Sequence, residues 1–339
     1  MASVESRPRV LIIGGLGYFG SRLTLDLQTD YTVVSTSRSL SATRRLWLKN
    51  ECPSVEWAEF DSTKSAPLPA KAYFDYLINL ATPGSQESAK NPEGSSRAAL
   101  NTISACVELM KQKRAGRLIH FSSFHVYGST PEPVYWEEGE RKPTHPYGQV
   151  HLAVEKWLET HAQNLEISVL RPTNGVGAPA HSELGIQSRL LFLDCCRQAV
   201  EQGHIQLNSD GLAYRDFVPL PDFIRAVRQI LTGTGKTLTF YNLASGSVCR
   251  LQELASKIQL HASQFLDRPI SLSLGSQGDP FKSRFEIDIE KIKGLGWLPA
   301  LALKEEINRT LSFFLKNKTG NAHKVNAATH NSTATLNNP

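Results

Sequence analysis

The stretch Arg9 to Gly20 reads RVLIIGGLGYFG, and it decides the fold. Its first five residues, Arg9 to Ile13, form a β-branched and leucine run that ends abruptly in glycine. Beyond Tyr18, apolar side chains recur every fourth position, which is a helical period. The pattern therefore predicts a strand, a glycine-rich turn and a helix in immediate succession.

Glycines 14, 17 and 20 of this turn have the spacing of a phosphate cradle. Gly14 permits the tight turn, Gly17 lets the backbone approach a pyrophosphate, and Gly20 lets the helix lie close to the sheet. The helix begins at Tyr18 and Phe19, where free N–H groups and the helix dipole favour negative charge. These five residues are the first candidates for binding a dinucleotide cofactor.

Strands and helices alternate through the following chain, and the strands are nearly continuous in apolar character. Further strands are predicted at Tyr31 to Ser35, Tyr76 to Leu80, Arg117 to Phe121 and Ile167 to Leu170, and helices at Ala98 to Met110 and Leu152 to Ala162. This alternation is typical of a parallel sheet covered on both faces. The predicted fold is α/β, a Rossmann-type doubly wound parallel sheet with a smaller C-terminal substrate-binding lobe.

The pattern becomes less regular after Pro172, where segments rich in Gly, Pro and Ser interrupt short elements. We therefore expect residues 1–172 to form mainly the cofactor-binding domain, with later segments returning to it. Residues 173–316 are expected to form mainly the substrate lobe. The stretch 317–339 is polar, without hydrophobic periodicity, and is predicted to be a disordered tail.

Composition excludes several classes of function. The 339 residues include 37 basic and 32 acidic side chains, and the net charge of +5 is spread without a basic run. Nucleic acid is therefore not an expected partner. No apolar run approaches the length of a membrane helix, no signal peptide is recognised, and a cytoplasmic location is expected. The five cysteines lack CxxC or metal-ligand spacing, so neither a metal site nor a disulfide framework is predicted.

The end of the second strand bears on the choice of cofactor. An NAD site usually has an acidic residue there to hold the ribose hydroxyls. This chain instead has hydroxyl side chains followed by Arg38. A guanidinium can bind a 2′-phosphate through two parallel hydrogen bonds. NADP(H) is therefore favoured over NAD(H).

An ordered set of motifs resembles the extended short-chain dehydrogenase/reductase family, the NAD-dependent epimerases and dehydratases of nucleotide sugars. The resemblance runs from about Arg9 to Leu315. The motifs, in order, are the glycine turn at 14–20, Asp61, Asn79-Leu80-Ala81, Ser122-Ser123-Phe124-His125-Val126-Tyr127-Gly128, Pro146-Tyr147-Gly148, Leu170-Arg171-Pro172-Thr173-Asn174, Arg215-Asp216-Phe217-Val218 and Leu295-Gly296-Trp297. Their order and spacing together are specific for this family.

The resemblance implies hydride transfer at a carbonyl or alcohol, with Tyr147 as the acid/base and Ser123 as the hydrogen-bonding partner. Ser122 is the alternative if the register slips by one residue. The family also contacts adenine through the position of Asp61, and Leu80 and Ala81 occupy its cofactor-binding motif.

The chain departs from the family four residues after Tyr147. His151 stands where the family has a lysine that lowers the pKa of the tyrosine, and it is one helical turn away, on the same face. Lys156 is nine residues beyond Tyr147 and is wrongly placed to substitute. Three interpretations stay open: histidine in the role of lysine, a rearranged relay, or a cofactor-binding protein that has lost turnover.

A second departure narrows the reaction. Sugar-nucleotide dehydratases of the family carry an Asp-Glu pair where this chain has Phe124 and His125, so dehydration is not expected. His125 either contributes to epimerisation or is structural. By resemblance, Asn174 and Arg215 lie where the family encloses the nucleotide diphosphate.

Two further arginines, Arg189 and Arg250, would add charge for the same diphosphate. The expected function is an NAD(P)-dependent nucleotide-sugar ketoreductase or epimerase that acts as a homodimer. One alternative is a reductase or dehydrogenase of another carbonyl metabolite. The other is a catalytically degenerate NADP-binding protein.

Overall fold

The computed structural model describes residues 7–64, 67–69, 72–128, 132–187, 190–233, 237–278, 282–300 and 302–332. For 185–187 and 319–332 it describes the backbone path. The strands are β1 (Arg9–Ile13), β2 (Thr32–Ser37), β3 (Glu56–Glu59), β4 (Phe74–Asn79), β5 (Ala115–Phe121), β6 (Val134–Tyr135), β7 (Ile167–Pro172), β8 (Asn174–Val176), β9 (His204–Ser209), β10 (Tyr214–Pro219), β11 (Thr239–Leu243), β12 (Val248–Arg250), β13 (Ser271–Gln277) and β14 (Glu286–Ile287).

The helices are α1 (Tyr18–Leu27), α2 (Ala42–Glu51), α3 (Ser85–Lys90), α4 (Pro92–Lys111), α5 (Pro146–His161), α6 (Ser182–Gln187), α7 (Leu191–Gln202), α8 (Leu220–Thr232), α9 (Leu251–Phe265), α10 (Glu290–Lys293) and α11 (Leu303–Ser332). A 3-10 turn covers Phe124–Tyr127.

Seven parallel strands form the central sheet, in the order β11-β7-β5-β4-β1-β2-β3. The order reverses direction on either side of β1, which is the doubly wound topology predicted from the sequence. Ligands of such sheets bind at the carboxyl ends of the strands near this reversal. The glycine turn follows β1 at that edge.

Two apolar cores cover the two faces of the sheet. Alternate residues of β1 enter different cores: Val10 and Ile12 pack with α1 and α8, whereas Leu11 and Ile13 pack with α4 and α5. Successive side chains of a strand point to opposite faces, so a strand buried on both sides is apolar throughout. This confirms the predicted Rossmann-like α/β fold.

The chain divides into two compact units. The first holds the central sheet and comprises the chain through Gly175 together with Ala213–Cys249 and a return segment that ends at Ala302. The second gathers Val176–Leu212, Arg250–Asp279 and the chain from Leu303. In it α7 packs against α9 and α11, and β9 pairs in parallel with β13.

The helix that carries Tyr147 starts six residues before the predicted Leu152. Pro146 occupies its first turn, and the His145 ring accepts the Gly148 N–H at 3.2 Å, so His145 is the N-cap. At the other end of the chain, α11 continues to Ser332, within the stretch predicted to be a disordered tail. Residues 333–339 lie outside the described residues, and the assignment of 317–339 stays a prediction.

Candidate active site

The glycine turn between β1 and α1 has room for backbone only. Gly14 has a φ of +81°, and a Cβ there would lie 3.3 Å from the backbone nitrogen of Ala81. A Cβ on Gly20 would overlap the carbonyl oxygen of Gly14. The Gly17 N–H donates to that same carbonyl at 3.0 Å. The turn therefore fits a pyrophosphate that approaches the backbone at a helix N-terminus.

The rings of the two aromatic residues that open α1, Tyr18 and Phe19, make different packing contacts. The Phe19 ring stacks on Phe223 at a centroid distance of 4.7 Å and an interplanar angle of 6°. The Tyr18 ring lies 5.2 Å from Phe19, tilted by 59°. The Phe19 side chain is partly buried and packs against the apolar core.

Buried hydroxyl groups, which sequence reasoning missed, hold the glycine turn against β2. Thr24 donates to the Gly15 carbonyl at 2.9 Å and shares a 2.6 Å hydrogen bond with Ser35. The Gly14 N–H donates to the Thr36 hydroxyl at 3.3 Å. The sequence feature that could have revealed this contact is the pair of small hydroxyl residues, Ser35 and Thr36, in the otherwise apolar strand β2.

Arg38 and Asp61 lie at the ends of β2 and β3, at the edge where the glycine turn lies. The Arg38 side chain is 65% exposed and forms an ion pair with Glu87 at 3.3 Å. Asp61 accepts the Thr63 hydroxyl and N–H at 2.7 and 3.0 Å. The hydrogen bond from Thr63 lowers the pKa of Asp61, so this carboxylate is charged at neutral pH.

Leu80 and Ala81 follow β4, next to the glycine turn. The Leu80 N–H donates to the Ile13 carbonyl at 2.9 Å, and the Ala81 N–H donates to the Asn79 side chain at 3.0 Å. The neighbouring strand ends therefore place the backbone of this motif beside Gly14.

Tyr147 and Ser123 come together at the carboxyl edge of the sheet. Ser123 follows β5, Tyr147 lies in the first turn of α5, and their side chains are hydrogen-bonded. Burial raises the pKa of Tyr147, and the hydrogen bond with Ser123 opposes that shift. Ser122 points elsewhere and donates to Glu155 at 2.6 Å. Of the two candidate serines, the structure brings Ser123 to Tyr147.

His151 lies directly beside Tyr147, as its helical spacing predicts. The two rings are 4.6 Å apart at an angle of 81°. His151 is 2% exposed, and neither ring nitrogen has a hydrogen-bond partner among the described residues. Burial, reinforced by the neighbouring histidines, sets the pKa of His151 well below its usual value. The imidazole is therefore neutral at pH 7.

Three more histidines, His120, His125 and His145, surround this pair, and of these only His125 lies in a motif of the family resemblance. The His125 and His145 rings share a 3.0 Å hydrogen bond and lie 5.6 and 6.3 Å from the Tyr147 ring. His120, on β5, shares a hydrogen bond with Asn79 at 3.2 Å, and burial lowers its pKa to about 4. Tyr147 therefore has imidazole neighbours where the family supplies an ammonium group.

A pocket beside this cluster is lined by His125, Asn174 and Arg215, together with apolar side chains such as Phe124 and Phe285. Asp216 also lines it, but its carboxylate accepts hydrogen bonds from Thr173 and Ser245 and so fixes the local structure.

The other two candidate arginines are not part of this pocket. Arg250 is the N-cap of α9 and belongs to the second compact unit. Its backbone N–H donates to the Glu253 carboxylate at 3.2 Å. Arg189 lies outside the described residues.

Among the described residues, no group of three or more His, Cys, Asp or Glu side chains is arranged to hold a metal ion. No described helix combines the length and apolar character that crossing a membrane requires.

Residues 10–244 match the model of the NAD dependent epimerase/dehydratase family. The chain belongs to this family. One relative is the UDP-glucuronic acid decarboxylase 1 of Xenopus tropicalis, 26% identical over 333 residues, which are 93% of this chain and 74% of that protein. The human dTDP-D-glucose 4,6-dehydratase is 26% identical over 216 residues, 62% of this chain. The chain spans about six-tenths of the length of several such relatives.

Solved structures share the fold of this family member. The UDP-glucose 4-epimerase from Bifidobacterium longum, in complex with NAD+ and UDP, superposes with a TM-score of 0.75 at 22% identity, over 92% of this chain and 99% of that one. The UDP-N-acetylglucosamine 4-epimerase from Methanobrevibacter ruminantium M1 gives a TM-score of 0.77 at 19% identity, with the same coverage.

Proposed function

We propose that this family member is an NAD(P)-dependent nucleotide-sugar ketoreductase or epimerase with Tyr147 as its acid/base. One observation carries the proposal: the Tyr147 phenol, hydrogen-bonded with Ser123, lies beside His151 at the sheet edge of the unit that also holds the glycine turn. Phenol chemistry suits this task, because the hydroxyl can either donate or accept a proton.

Reduction is the direction that these side chains favour. His125, His145 and His151, whose rings lie next to that of Tyr147, have lowered pKa values and are neutral at pH 7, so none of these rings is an imidazolium that draws the proton from the phenol. A protonated Tyr147 is an acid. In a ketone reduction Tyr147 gives its proton to the carbonyl oxygen, and Ser123 donates a hydrogen bond to the same oxygen. A nicotinamide cofactor, when bound, would supply the hydride.

The residues of the first unit fit such a cofactor. The Gly14–Gly20 turn and the Leu80–Ala81 backbone would hold the pyrophosphate side, and Asp61 would lie at adenine. The two unpartnered nitrogens of His151 would meet the hydroxyls of the nicotinamide ribose. Arg38, largely exposed, is free to exchange Glu87 for a 2′-phosphate, which supports NADP(H) over NAD(H).

The pocket side chains support a nucleotide-linked sugar as the substrate. Arg215 and Asn174 offer a guanidinium and an amide, which are suitable donors to a diphosphate. Two structural neighbours bind ligands that contain UDP: one binds UDP itself and the other UDP-N-acetylmuramic acid.

Turnover and cofactor binding, measured together, test the proposal. NADPH and NADH are titrated by fluorescence, and a panel of nucleotide 4-keto-sugars is assayed with wild type and Tyr147→Phe. We expect binding by both proteins and turnover by wild type alone. Cofactor binding without turnover in wild type would instead favour a cofactor-binding protein that has lost turnover. The observation that supports this alternative is His151 in place of the family's lysine. Turnover of carbonyl compounds that carry no nucleotide would favour the other alternative, a reductase or dehydrogenase of another carbonyl metabolite.

Association into a homodimer is part of the same proposal. The helices α4 and α5 pack side by side on one face of the sheet. A pair of such helices from each of two subunits would form a four-helix contact. Sedimentation equilibrium at micromolar concentration measures the expected doubling of the 37.5 kDa mass.

A further inference from the structure

A chain of hydrogen bonds runs from the N-terminus of α5 to the substrate pocket. The Gly148 N–H donates to Nδ1 of His145 at 3.2 Å. Nε2 of His145 lies 3.0 Å from Nδ1 of His125. His125 in turn lines the pocket together with Arg215.

The first bond of this chain sets the direction of the others. Because Nδ1 of His145 accepts a backbone N–H, a neutral His145 must carry its proton on Nε2. That Nε2–H then donates to Nδ1 of His125. By the same rule, a neutral His125 carries its own proton on Nε2, the nitrogen that no other residue of this chain of bonds uses. Both hydrogen bonds therefore point from the helix towards His125, and the third donor is the Nε2–H of His125 itself.

Both rings are neutral at physiological pH, which makes these tautomers unique. Desolvation lowers the pKa of the half-buried His145. Desolvation, the neighbouring His145 and Arg215 lower the pKa of His125 to about 4. A neutral His125 whose Nδ1 is occupied offers an N–H donor and no free lone pair. It is therefore a hydrogen-bond donor and not a general base.

The surroundings of this donor favour a negative acceptor. The bonds start at the N-terminus of a 16-residue helix, where the dipole is positive, and hydrogen bonds aligned in one direction polarise one another. Arg215 adds a full positive charge on the same pocket. A hydrogen bond to an ionised acceptor is about twice as strong as one to a neutral acceptor.

We propose that His145 positions His125 as an Nε2–H donor for an anionic oxygen of the substrate, a sugar carboxylate or a diphosphate oxygen. This inference rests on the proposed nucleotide-sugar function and makes His145 a determinant of specificity. The sequence places His145 outside every motif of the family resemblance, and only its bonds to Gly148 and His125 reveal the role.

Two nearly isosteric substitutions separate the proposal from a purely structural role of His145. The amide of His145→Gln can donate to Nδ1 of His125 as the imidazole does, so the tautomer is kept. The carboxylate of His145→Glu can only accept, so His125 must move its proton to Nδ1. A third variant, His145→Asn, caps Gly148 but is too short to reach His125, and it adds no charge.

The tautomer is read directly from the 15N shifts of the full-length protein labelled at histidine, with His125→Gln used to assign the signals. We expect the Nε2–H tautomer in wild type and His145→Gln, the Nδ1–H tautomer in His145→Glu and a mixture in His145→Asn. The Nδ1–H tautomer in wild type would overturn the proposal. This reading needs neither substrate nor turnover, so it is independent of the proposed function.

Binding of UDP, UDP-glucose and UDP-glucuronate by calorimetry identifies the anion. If the anion is a sugar carboxylate, His145→Asn lowers the affinity for UDP-glucuronate about tenfold and leaves the affinities for UDP and UDP-glucose unchanged. His145→Gln then has wild-type affinity for all three ligands. If the anion is a diphosphate oxygen, His145→Asn lowers the affinities for all three ligands by the same factor. Equal affinities in wild type and His145→Asn would overturn the anion assignment. Absence of binding by every protein would overturn the nucleotide-sugar function itself, while the tautomer result would stand.

Discussion

At the scale of single residues, His151 decides how the Tyr147 phenol behaves. A lysine at this position would place a cation near the phenol and lower its pKa, as opposite charges do over 4–6 Å. The buried, neutral His151 provides no such charge. Tyr147 therefore keeps its proton to a higher pH than a tyrosine with a lysine neighbour.

His151→Lys is expected to shift the pH profile of turnover. The reductive rate falls as pH rises through the pKa of Tyr147, because the acid is lost. The ammonium lowers that pKa by about one to three units, so the alkaline limb moves to lower pH. Rates of keto-sugar reduction between pH 6 and 10 provide the measurement, and neutral His151→Gln is the control. Because burial raises the pKa of Tyr147 from its usual value of 10.0, the alkaline limb should enter this range in His151→Lys and not in wild type. An unmoved limb in His151→Lys would contradict the role given to the missing charge.

The buried histidines also make stability depend on pH. His120 and His151 have folded-state pKa values below the unfolded value near 6.5, so below pH 6.5 the unfolded chain binds protons that the folded chain does not. For each such histidine the free energy of unfolding is expected to fall by about 1.4 kcal/mol per pH unit from pH 6.5 towards pH 4. Above pH 6.5 neither contributes.

Urea unfolding at pH 7.5, 6 and 5 measures this dependence. His120→Asn removes one of the two groups, so its stability is expected to decline less steeply between pH 6.5 and 5 than that of wild type. Parallel curves for the two proteins would show that His120 titrates normally in the folded state.

At the scale of elements, a buried ion pair joins α5 to β7. Arg171 donates to both carboxylate oxygens of Glu155 at 2.9 Å, and these side chains are 1% and 0% exposed. Arg141, 22% exposed, reaches the same carboxylate at 3.0 Å. Since Tyr147, His151 and Glu155 recur every four residues, this pair holds the face of the helix that carries Tyr147 against the sheet.

Breaking the pair leaves a buried charge without its partner. Glu155→Gln is expected to lower the free energy of unfolding by about 3–5 kcal/mol. Arg141→Ala should cost less, because the charge that it removes is partly solvated. The double variant Glu155→Leu/Arg171→Met should recover part of the loss, since no charge is stranded. Urea unfolding compares the four proteins, and equal costs for Glu155→Gln and Arg141→Ala would refute the argument.

The junction of β1 with α1 gives another prediction at this scale. Gly20→Ala places a methyl group on the Gly14 carbonyl, which must move the turn. Cofactor binding is expected to weaken at least about tenfold, the equivalent of 1.4 kcal/mol. Gly84→Ala, where a Cβ meets nothing within 4 Å, is the matched control. NADPH titration followed by fluorescence makes the comparison, and equal binding by both variants would contradict the close-approach role of Gly20.

At the scale of the whole molecule, cofactor binding should stabilise the folded chain. A ligand at about 100 times its Kd adds about 2.7 kcal/mol to the free energy of unfolding if it binds only the folded state. At equal concentration NADPH is expected to raise the Tm more than NADH does, and Arg38→Ala to abolish that difference. Thermal unfolding monitored by circular dichroism is the measurement. A larger effect of NADH in wild type would reverse the proposed preference.

The sequence by itself determined the doubly wound α/β fold and the place of its glycine turn. Both follow from local patterns, since apolar runs mark strands buried on two faces and glycine spacing marks close backbone approach. Helical spacing likewise determined that His151 lies beside Tyr147. These features depend on residues a few positions apart, so they can be predicted without knowing the packing.

The tertiary structure alone decided which serine contacts Tyr147, which arginine pairs with Glu155 and which histidines surround the phenol. Ser123 and Ser122 are adjacent in sequence, but they face different partners. His120 meets Asn79 across 41 residues. Such contacts arise when strands and helices pack at one edge of the sheet, and no local period encodes them. Burial, which sets the protonation of the imidazoles, is likewise a property of the packed chain.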